Sequence, residues 1–381
     1  KAFIGTCPDM CPEKERYDRQ ETRRLSIYEM IPGTENIVNH SRAVKEYSRS
    51  SADQTEPLQH ELRPEPVLMM TMAYLLREIA DRGEEERWAD WYDFLWNRTR
   101  GIRKDITQQQ LCNRNVVELI EKCARYHIYC SHRLCEQDMM VFDSKINNEN
   151  LTKCLQTLKE MYYDLEKNQL VFCPNEAEFR GYMVLMNLNE GDTLREVQEL
   201  RPEVRESAEI KFALRVYSAL NSHNYVRFFR MVKQATFLQA CIIHRYFTQV
   251  RSRGLIVLMK ALGKNNRYPL SHLKNIFSFE NVLEAERFCS YYGFISKDEY
   301  VTIDSRDFME PEVSVPPTRS ISLIESKLLV PVGQVRIYFM PLFHCPIRIS
   351  YVAAGATKLW TVSIKINALL ASFTENSFLL F

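Results

Sequence analysis

The sequence is poor in glycine and contains no long apolar run. Glycine accounts for 11 of the 381 residues, and no stretch reaches the roughly 18 uninterrupted apolar residues that a membrane-spanning helix needs. The 50 basic residues nearly balance the 49 acidic ones, so the excess of one charge that marks a whole-surface nucleic-acid or anionic-membrane binder is missing. We therefore expect a soluble, globular protein whose charged patches are local.

The sequence also lacks the short motifs of common enzyme active sites. We find no phosphate-binding glycine loop, no His-Glu-x-x-His zinc motif and no glycine-flanked serine elbow. The adjacent Glu84, Glu85 and Glu86 are typical of a solvated helix start rather than of an acid/base pair. We predict no enzyme activity and no bound cofactor or metal.

A disulfide framework is not indicated either. The 11 cysteines are odd in number and scattered from Cys7 to Cys345, a pattern typical of reduced thiols in the cytosol or nucleus rather than of a secreted scaffold. No signal sequence precedes them. Because the chain begins with Lys1, we expect it to be part of a longer protein.

Two groups of cysteine and histidine residues are candidates for zinc, which takes about four such ligands. The larger group comprises Cys123, His127, Cys130, His132 and Cys135. Steps of three and four residues place Cys123, His127 and Cys130 on the core-facing stripe of a helix. His132 and Cys135 point elsewhere on the same helix, so burial in the core is favoured over zinc.

The smaller group is the pair Cys7 and Cys11, which lies in a proline-rich turn. The sequence has no matching second pair. We favour structural packing of the turn, with metal binding assisted by a distant histidine such as His40 or His60 as the alternative.

Most of the chain shows the helical period of apolar residues rather than the strand period. The predicted helices are Val67–Asp81, Glu84–Arg100, Asn115–Cys135, Asn148–Glu166, Glu176–Leu188 and three more between Ser207 and Leu262, separated near Asn221–Asn224, Ala235–Thr236 and Arg251–Gly254. Short connections make successive helices antiparallel, which is typical of helix-pair arrays of the tetratricopeptide or HEAT kind.

We predict a mainly α fold with five parts along the chain. They are an extended, wrapping N-terminal segment (1–66), a helical region (67–147), helical repeats (148–254), a winged helix (255–312) and a tail that we cannot assign to a fold (313–381). The first part is assigned from its proline, glycine and small polar residues, which disfavour helix. The winged helix is predicted from helices at Pro269–Phe279 and Asn281–Tyr292, followed by a strand at Tyr300–Ile303.

The segment Trp88–Lys104 interleaves aromatic and basic side chains, a composition that single-stranded nucleic acid would favour. Helical steps join several of the rings, however, so most of them are predicted to lie in the core. Gly101 suits the position just beyond a helix end, which would place Arg98 and Arg100 in the last turn, where cations complement the helix dipole. RNA contact at this segment stays an alternative.

A basic cluster lies close to the start of the predicted winged helix. Its members, which we predict to contact the RNA backbone, are Arg251, Arg253, Lys260, Lys264, Arg267 and Lys274. A solvated face without a ligand is the alternative.

The third helix of the same module has an acidic beginning. Glu280, Glu284 and Glu286 would repel phosphates, so we predict that this helix packs against a protein partner instead. The residues predicted to lie near the partner surface are Phe277, Phe279, Phe288 and Tyr291, with a core position as the alternative.

Three segments are specific enough to indicate a family. They are Gly5–Arg16 (GTCPDMCPEKER), Ala43–Asp53 (AVKEYSRSSAD) and Trp91–Ile106 (WYDFLWNRTRGIRKDI), with further matches at Ile146–Asn150 and Glu176–Phe179. They closely resemble the GANP (germinal-centre-associated nuclear protein) family, in the domain that it shares with its yeast mRNA-export counterpart. The resemblance extends from about Phe3 to about Val332 and fades beyond Gly333.

This resemblance implies a non-enzymatic scaffold of the nuclear transcription-and-export complex, which couples mRNA synthesis to passage through the nuclear pore. It implies a PCI-like helical array ending in a winged helix. The implied partners are a second PCI-domain protein, a small acidic subunit and RNA bound weakly without sequence preference, with the pore contacted through regions outside this chain. The implied location is the nucleus, at the pore in the nuclear envelope, with a cytoplasmic pool as an alternative.

Two other assignments stay open on the sequence. One is a shorter, centrosome- and spindle-associated relative that shares the same opening segments. The other is a subunit of a different PCI assembly, such as the proteasome lid or a translation-initiation complex.

Overall fold

A computed structural model describes residues 4–49, 58–84, 87–263 and 266–334. The prediction of a mainly α protein is confirmed. The chain divides after Gly333 into two units, so the tail predicted over 313–381 belongs in part to the first unit, and its remainder from 335 onward lies outside the described residues. Among the described helices, none combines the length and the apolar character needed to cross a membrane.

The described elements before residue 263 are all helical, and besides short 3-10 and π-helical segments they comprise twelve α-helices. They are α1 (Glu13–Glu21), α2 (Glu65–Tyr74), α3 (Trp88–Gln108), α4 (Arg114–Arg133), α5 (Ser144–Gln169), α6 (Glu176–Met186), α7 (Thr193–Gln198), α8 (Pro202–Arg205), α9 (Ala208–Asn221), α10 (Tyr225–Gln234), α11 (Phe237–Ile243) and α12 (Phe247–Leu262). Further on are β1 (Asn266–Pro269), α13 (Leu270–Phe277), α14 (Val282–Tyr291), β2 (Ser296–Lys297) and β3 (Tyr300–Ile303).

Side-chain caps fix where the two helices that form the centre of the body begin. The Asn113 side chain accepts a hydrogen bond from the backbone N–H of Val116 at the start of α4, and Asp143 accepts from Lys145 and Ile146 at the start of α5. Each cap satisfies N–H groups that have no partner within the helix. Both helices present buried apolar stripes, so α4 and α5 pack together as neighbours in the core.

Two helix breaks predicted at glycine are wrong. α3 continues through Gly101 to Gln108, and α12 continues through Gly254 to Leu262. A Cβ at Gly101 would lie 3.1 Å from the carbonyl oxygen of Lys45, and one at Gly254 would lie 2.4 Å from the ring of Phe277. The two glycines therefore allow another segment to approach a continuous helix closely. Glycine also ends many helices, so the sequence alone does not distinguish the two roles.

The N-terminal segment contains α1 and short 3-10 turns and packs along α3. At its centre the buried Glu29 carboxylate accepts hydrogen bonds from Arg19 (2.6 Å) and Arg98 (2.8 Å). A second buried carboxylate, Asp105 on α3, binds Arg63 and Lys45, each at 2.7 Å. Burial alone would raise the pKa of Glu29, but the guanidiniums of Arg98 and Arg19 outweigh it and lower that pKa.

Residues 313–334, which we call the C-terminal strap, run back across the helical body. The backbone N–H of Ser320 donates to Nε2 of His132 on α4 (3.0 Å), and Nζ of Lys327 donates to the carbonyls of Lys233 (2.8 Å) and Ala235 (2.9 Å) after α10. The N–H of Gly333 donates to Asp81 (3.0 Å). The strap thus contacts α4, the end of α10 and the segment at Asp81, all of which lie far earlier in the chain.

Candidate nucleic-acid and partner interface

We call the elements from α12 to β3, with the segment that follows them to residue 312, the C-terminal module; they belong to the same compact unit as the helical body. α12 leads into β1, α13, α14 and the hairpin of β2 and β3, and the three strands are antiparallel in the order β1-β3-β2. The predicted strand at Tyr300–Ile303 is confirmed as the central strand. Because α12 begins at Phe247, the predicted boundary between 254 and 255 falls inside a helix.

Arg251, predicted to contact RNA, is an interior residue. It is 7% exposed, and its guanidinium donates to the carbonyls of Phe277 (3.2 Å) and Ser278 (2.9 Å) and to Glu284 (3.1 Å). The guanidinium carbon also lies 4.0 Å from the centre of the Phe279 ring. Burial lowers the pKa of Arg251 to about 10, with Glu284 acting against that shift. The prediction is wrong for this residue, because its guanidinium is buried and its N–H groups already donate to the end of α13 and to Glu284.

Three of the four aromatic residues predicted near the partner surface are core residues. Phe277, Phe279 and Phe288 are buried, and their rings form a chain with centroid distances of 6.2 Å between the first two and 5.3 Å between the last two. They therefore hold α13 against α14, and a direct partner contact is wrong for them. Tyr291 is 47% exposed, and its contact with a partner stays a prediction.

The remaining described cations of the cluster differ in their exposure to solvent. Arg253, Lys260 and Arg267 are exposed, whereas Lys274 is half-buried and Lys264 lies outside the described residues. At about 100° per residue, Arg253 points away from the side of α12 that carries Arg251, and Lys260, seven residues on, shares its face. Arg267 lies over the Tyr300 ring at 4.9 Å. We call Arg253, Lys260 and Arg267 the basic face.

Two exposed apolar residues of the module were missed. Leu283 (59% exposed) lies on α14 and Ile295 (73%) lies just beyond it, so both, like Tyr291, are exposed apolar side chains of the module. Leu283 and Ile295 went unrecognised in the sequence because the larger phenylalanines dominate the apolar pattern there.

Two acidic residues at the start of α14, Glu280 and Glu284, contact this chain's own strap. Glu280 accepts from the hydroxyl of Ser320 (2.9 Å) and from the backbone N–H of Ser322 (3.1 Å). Glu284 accepts from Thr318 (2.9 Å) as well as from Arg251. Protein contact is thus the use of this acidic helix start, within the same chain.

The larger cysteine and histidine group lies in the core, and within the described residues no three potential ligands come together as a metal site. Cys123, His127 and Cys130 are buried on one stripe of α4, as predicted. Nδ1 of His127 is hydrogen-bonded to Asn147 at 2.8 Å, and burial lowers the pKa of His127 to about 3. His132 stacks edge-on against His244, with ring centroids 4.7 Å apart.

Cys7 and Cys11 are both buried in the N-terminal segment. The thiol of Cys7 donates to the carbonyl of Asp9 at 3.3 Å, and Cys11 accepts from Arg19 at 3.2 Å. Burial raises the pKa of Cys7 and raises that of Cys11 to about 12. These thiols are protonated at neutral pH and serve the packing of the turn.

The aromatic and basic side chains of α3 also have internal partners. Trp91 is buried and donates from Nε1 to the carbonyl of Ile79 at 3.0 Å. The Arg100 guanidinium lies 3.9 Å from the centre of the Tyr47 ring, and Lys104 donates to the carbonyl of Ser48 at 2.8 Å. These cations hold the N-terminal segment on α3, where an RNA strand would have to displace it.

The helical body and the small module with its three-stranded sheet define a mainly α protein. A family model, the SAC3/GANP family, matches residues 10–298. The chain belongs to this family, which confirms the resemblance drawn from the three segments. Membership is consistent with a scaffold role in mRNA export.

Several curated relatives match at substantial identity. The chain is 46% identical to Protein xmas of Drosophila melanogaster over 88% of its own length, 35% identical to SAC3 family protein B of Arabidopsis thaliana over 77%, and 33% identical to SAC3 family protein 1 of Schizosaccharomyces pombe over 86%. The chain spans only 16%, 18% and 34% of those relatives, respectively.

Proposed function

We propose that this chain is the scaffold domain of a nuclear mRNA-export protein and that its C-terminal module holds a second PCI-domain protein and RNA. The observation that carries the proposal is the coexistence, on one module in a SAC3/GANP chain, of exposed apolar residues and a basic face. The domain performs no bond chemistry. A small acidic subunit completes the assembly, and regions outside this chain contact the nuclear pore.

The module's topology supports its assignment as a winged helix. Three helices and a three-stranded antiparallel sheet follow in the order α12, β1, α13, α14, β2, β3. The turn between β2 and β3 has positive φ at both Asp298 (55°) and Glu299 (64°), as a two-residue type I′ hairpin requires. The preceding antiparallel helices then form the PCI-like array on which the module is mounted.

RNA binding is assigned to the basic face. Arg253, Lys260 and Arg267 carry three positive charges that no described carboxylate neutralises within ion-pair distance. The triple variant R253E/K260E/R267E should weaken binding of a single-stranded RNA and reduce the slope of log K against log salt by about 0.7 for each lost phosphate contact. Fluorescence anisotropy at several salt concentrations measures both quantities.

The matched control is K145E/K153E/R215E, which reverses three exposed cations on α5 and α9. It makes the same change in net charge away from the module, so binding should stay close to that of the wild type. Equal losses in both triple variants would contradict a defined basic face.

Partner binding is assigned to Leu283, Tyr291 and Ile295, because exposed apolar and aromatic side chains on one small module are typical of protein interfaces. Affinity purification from nuclear extract with mass spectrometry should recover a second PCI-domain protein, and L283E/Y291E should lose it. I146E, at an apolar residue that is 44% exposed on α5, is the control and should retain it. Recovery of proteasome-lid or initiation-factor subunits instead would contradict the mRNA-export assignment.

A further inference from the structure

A lysine-rich cavity lies between α10, α13 and the C-terminal strap. Its volume is about 360 Å³, many times the roughly 30 Å³ of a water molecule. The side chains that matter here are Lys233 on α10, Lys274 on α13 and Lys327, Ser322 and Ser326 on the strap. We call this the lysine pocket. It lies beside Phe279, hence on the Arg251 side of α12 and away from the basic face.

The pocket has a surplus of positive charge. No carboxylate is among the described residues that line it, and neither Lys233 nor Lys274 forms an ion pair with a described residue. Lys327 donates to two backbone carbonyls, and burial lowers the pKa of this lysine. An anion placed in the pocket would offset the cost of holding three ammonium groups together.

Helix ends explain only part of this arrangement. Lys233 and Lys274 lie in the last turns of α10 and α13, where lysine complements the negative end of the helix dipole. Each helix end carries roughly half a negative charge, so two of them provide about one unit against three positive charges. About two positive charges remain, which is close to the charge of a phosphoserine at neutral pH.

The strap carries the residue that can supply that charge. Ser326 is exposed, so an enzyme can reach it, and its hydroxyl donates only to the carbonyl of Ser322 at 2.6 Å within the described residues. Ser322 lines the same cavity, but its backbone N–H is bound to Glu280, and a phosphate there would face that carboxylate. The neighbouring Glu325 is bound to Arg319, at 2.7 Å through each of two nitrogens.

We propose that Ser326 is a phosphorylation site and that Lys233, Lys274 and Lys327 bind its phosphate, fixing the strap to α10 and α13. A protein kinase transfers the γ-phosphoryl group of ATP to the Ser326 oxygen. The new O–P bond forms as the bond to the β-phosphate oxygen breaks, ADP leaves, and the hydroxyl proton passes to the kinase. The phosphate then accepts charge-assisted hydrogen bonds from the lysines.

The test uses the full chain with phosphoserine installed co-translationally at position 326. Hydrogen exchange of the strap amides around 320–328 should slow at least about tenfold relative to the unmodified chain, because charge-assisted hydrogen bonds from the lysines would hold the strap closed. The slowing should diminish at high salt. It should be absent from K233Q/K274Q, which leaves Lys327 and its carbonyl contacts in place.

Two further arms make the result decisive. Phosphoserine at position 322 should give much less slowing, since it faces Glu280. Tandem mass spectrometry of the protein isolated from growing and dividing cells should find phosphate on Ser326. Unchanged exchange in the phosphorylated chain, equal slowing in K233Q/K274Q, or an unmodified Ser326 under every growth condition would each overturn the proposal.

Discussion

At the scale of single residues, several arginines lie inside this protein rather than on its surface. Arg19, Arg63, Arg98 and Arg251 are buried, and each is held by carboxylates or backbone carbonyls. A buried ion pair adds little net stability over an apolar pair, but removal of one partner leaves the other charge without compensation. Substitution of one partner at such a site therefore lowers the free energy of unfolding strongly.

Glu29→Gln tests this cost. The substitution keeps the shape of the side chain but removes the charge that compensates Arg19 and Arg98, so we expect a loss of about 3–5 kcal/mol in the free energy of unfolding. Urea denaturation followed by circular dichroism measures it. The control is Glu35→Gln, at an exposed position, which should change stability by no more than about 0.5 kcal/mol.

Buried histidines predict a second residue-scale effect, a loss of stability in mild acid. Burial lowers the pKa of His244 to about 4 and that of His132 to about 2, from 6.5 in the unfolded chain. Below pH 6.5 the unfolded state therefore binds more protons than the folded state, and stability falls as the pH drops towards 4. At pH 5 each such histidine costs about 2 kcal/mol relative to pH 7.

His244→Gln isolates one of these contributions. Nε2 of His244 is hydrogen-bonded to the carbonyl of Thr318 at 2.8 Å, and a glutamine amide can still donate there. Between pH 7 and pH 5 the variant should lose about 2 kcal/mol less than the wild type. An NMR titration in which His244 changes charge near pH 6.5 in the folded protein would contradict this explanation.

At the scale of elements, close packing decides what single helices tolerate. Gly254→Ala would raise helix propensity by about 1 kcal/mol, but its Cβ would lie 2.4 Å from the Phe277 ring and 3.0 Å from that of Tyr225. Because overpacking costs about 1–3 kcal/mol, we expect a net loss of stability. Gly191→Ala, with no atom within 4 Å, is the control, and a stabilised Gly254→Ala would show that the two rings move freely.

The same elements show what a sequence pattern can and cannot predict. Helices α4, α5, α6, α13 and α14 were predicted within a few residues, because their apolar period and their caps are local. The continuations of α3 and α12 were not, because the reason for each glycine is a contact with a segment distant in the chain. The apolar period and the caps predict that a helix forms. Whether a glycine ends that helix depends on residues distant in the sequence that pack against it, and the local pattern does not contain them.

The candidate site divides in the same way. Composition identified a basic cluster, and Arg253, Lys260 and Arg267 are exposed there. The spacing of Arg251 did not indicate that this side chain reaches the carbonyls at the end of α13. Phe277, Phe279 and Phe288 were assigned to a surface because the face of α14 that packs on α13 depends on the tertiary arrangement.

At the scale of the whole molecule, the strap contacts residues that lie far from it along the chain. Residues near Thr318 and Ser320 contact His244 and His132, and Gly333 fits against the carbonyl of Leu76, where a Cβ would lie 2.0 Å away. The strap was not predicted, because its sequence lacks a period and its contacts lie far away along the chain.

The return of the strap constrains synthesis on the ribosome. The surfaces around Asp81 and His132 emerge early, but the groups that cover them, at Gly333 and Ser320, emerge only near the end of this unit. A nascent chain that has formed its early helices therefore exposes these two sites until the strap is synthesised, and surfaces exposed in this way are prone to aggregate. Premature termination shortly before the strap would yield a polypeptide that has all of the described α-helices but lacks the segment that covers Asp81 and His132.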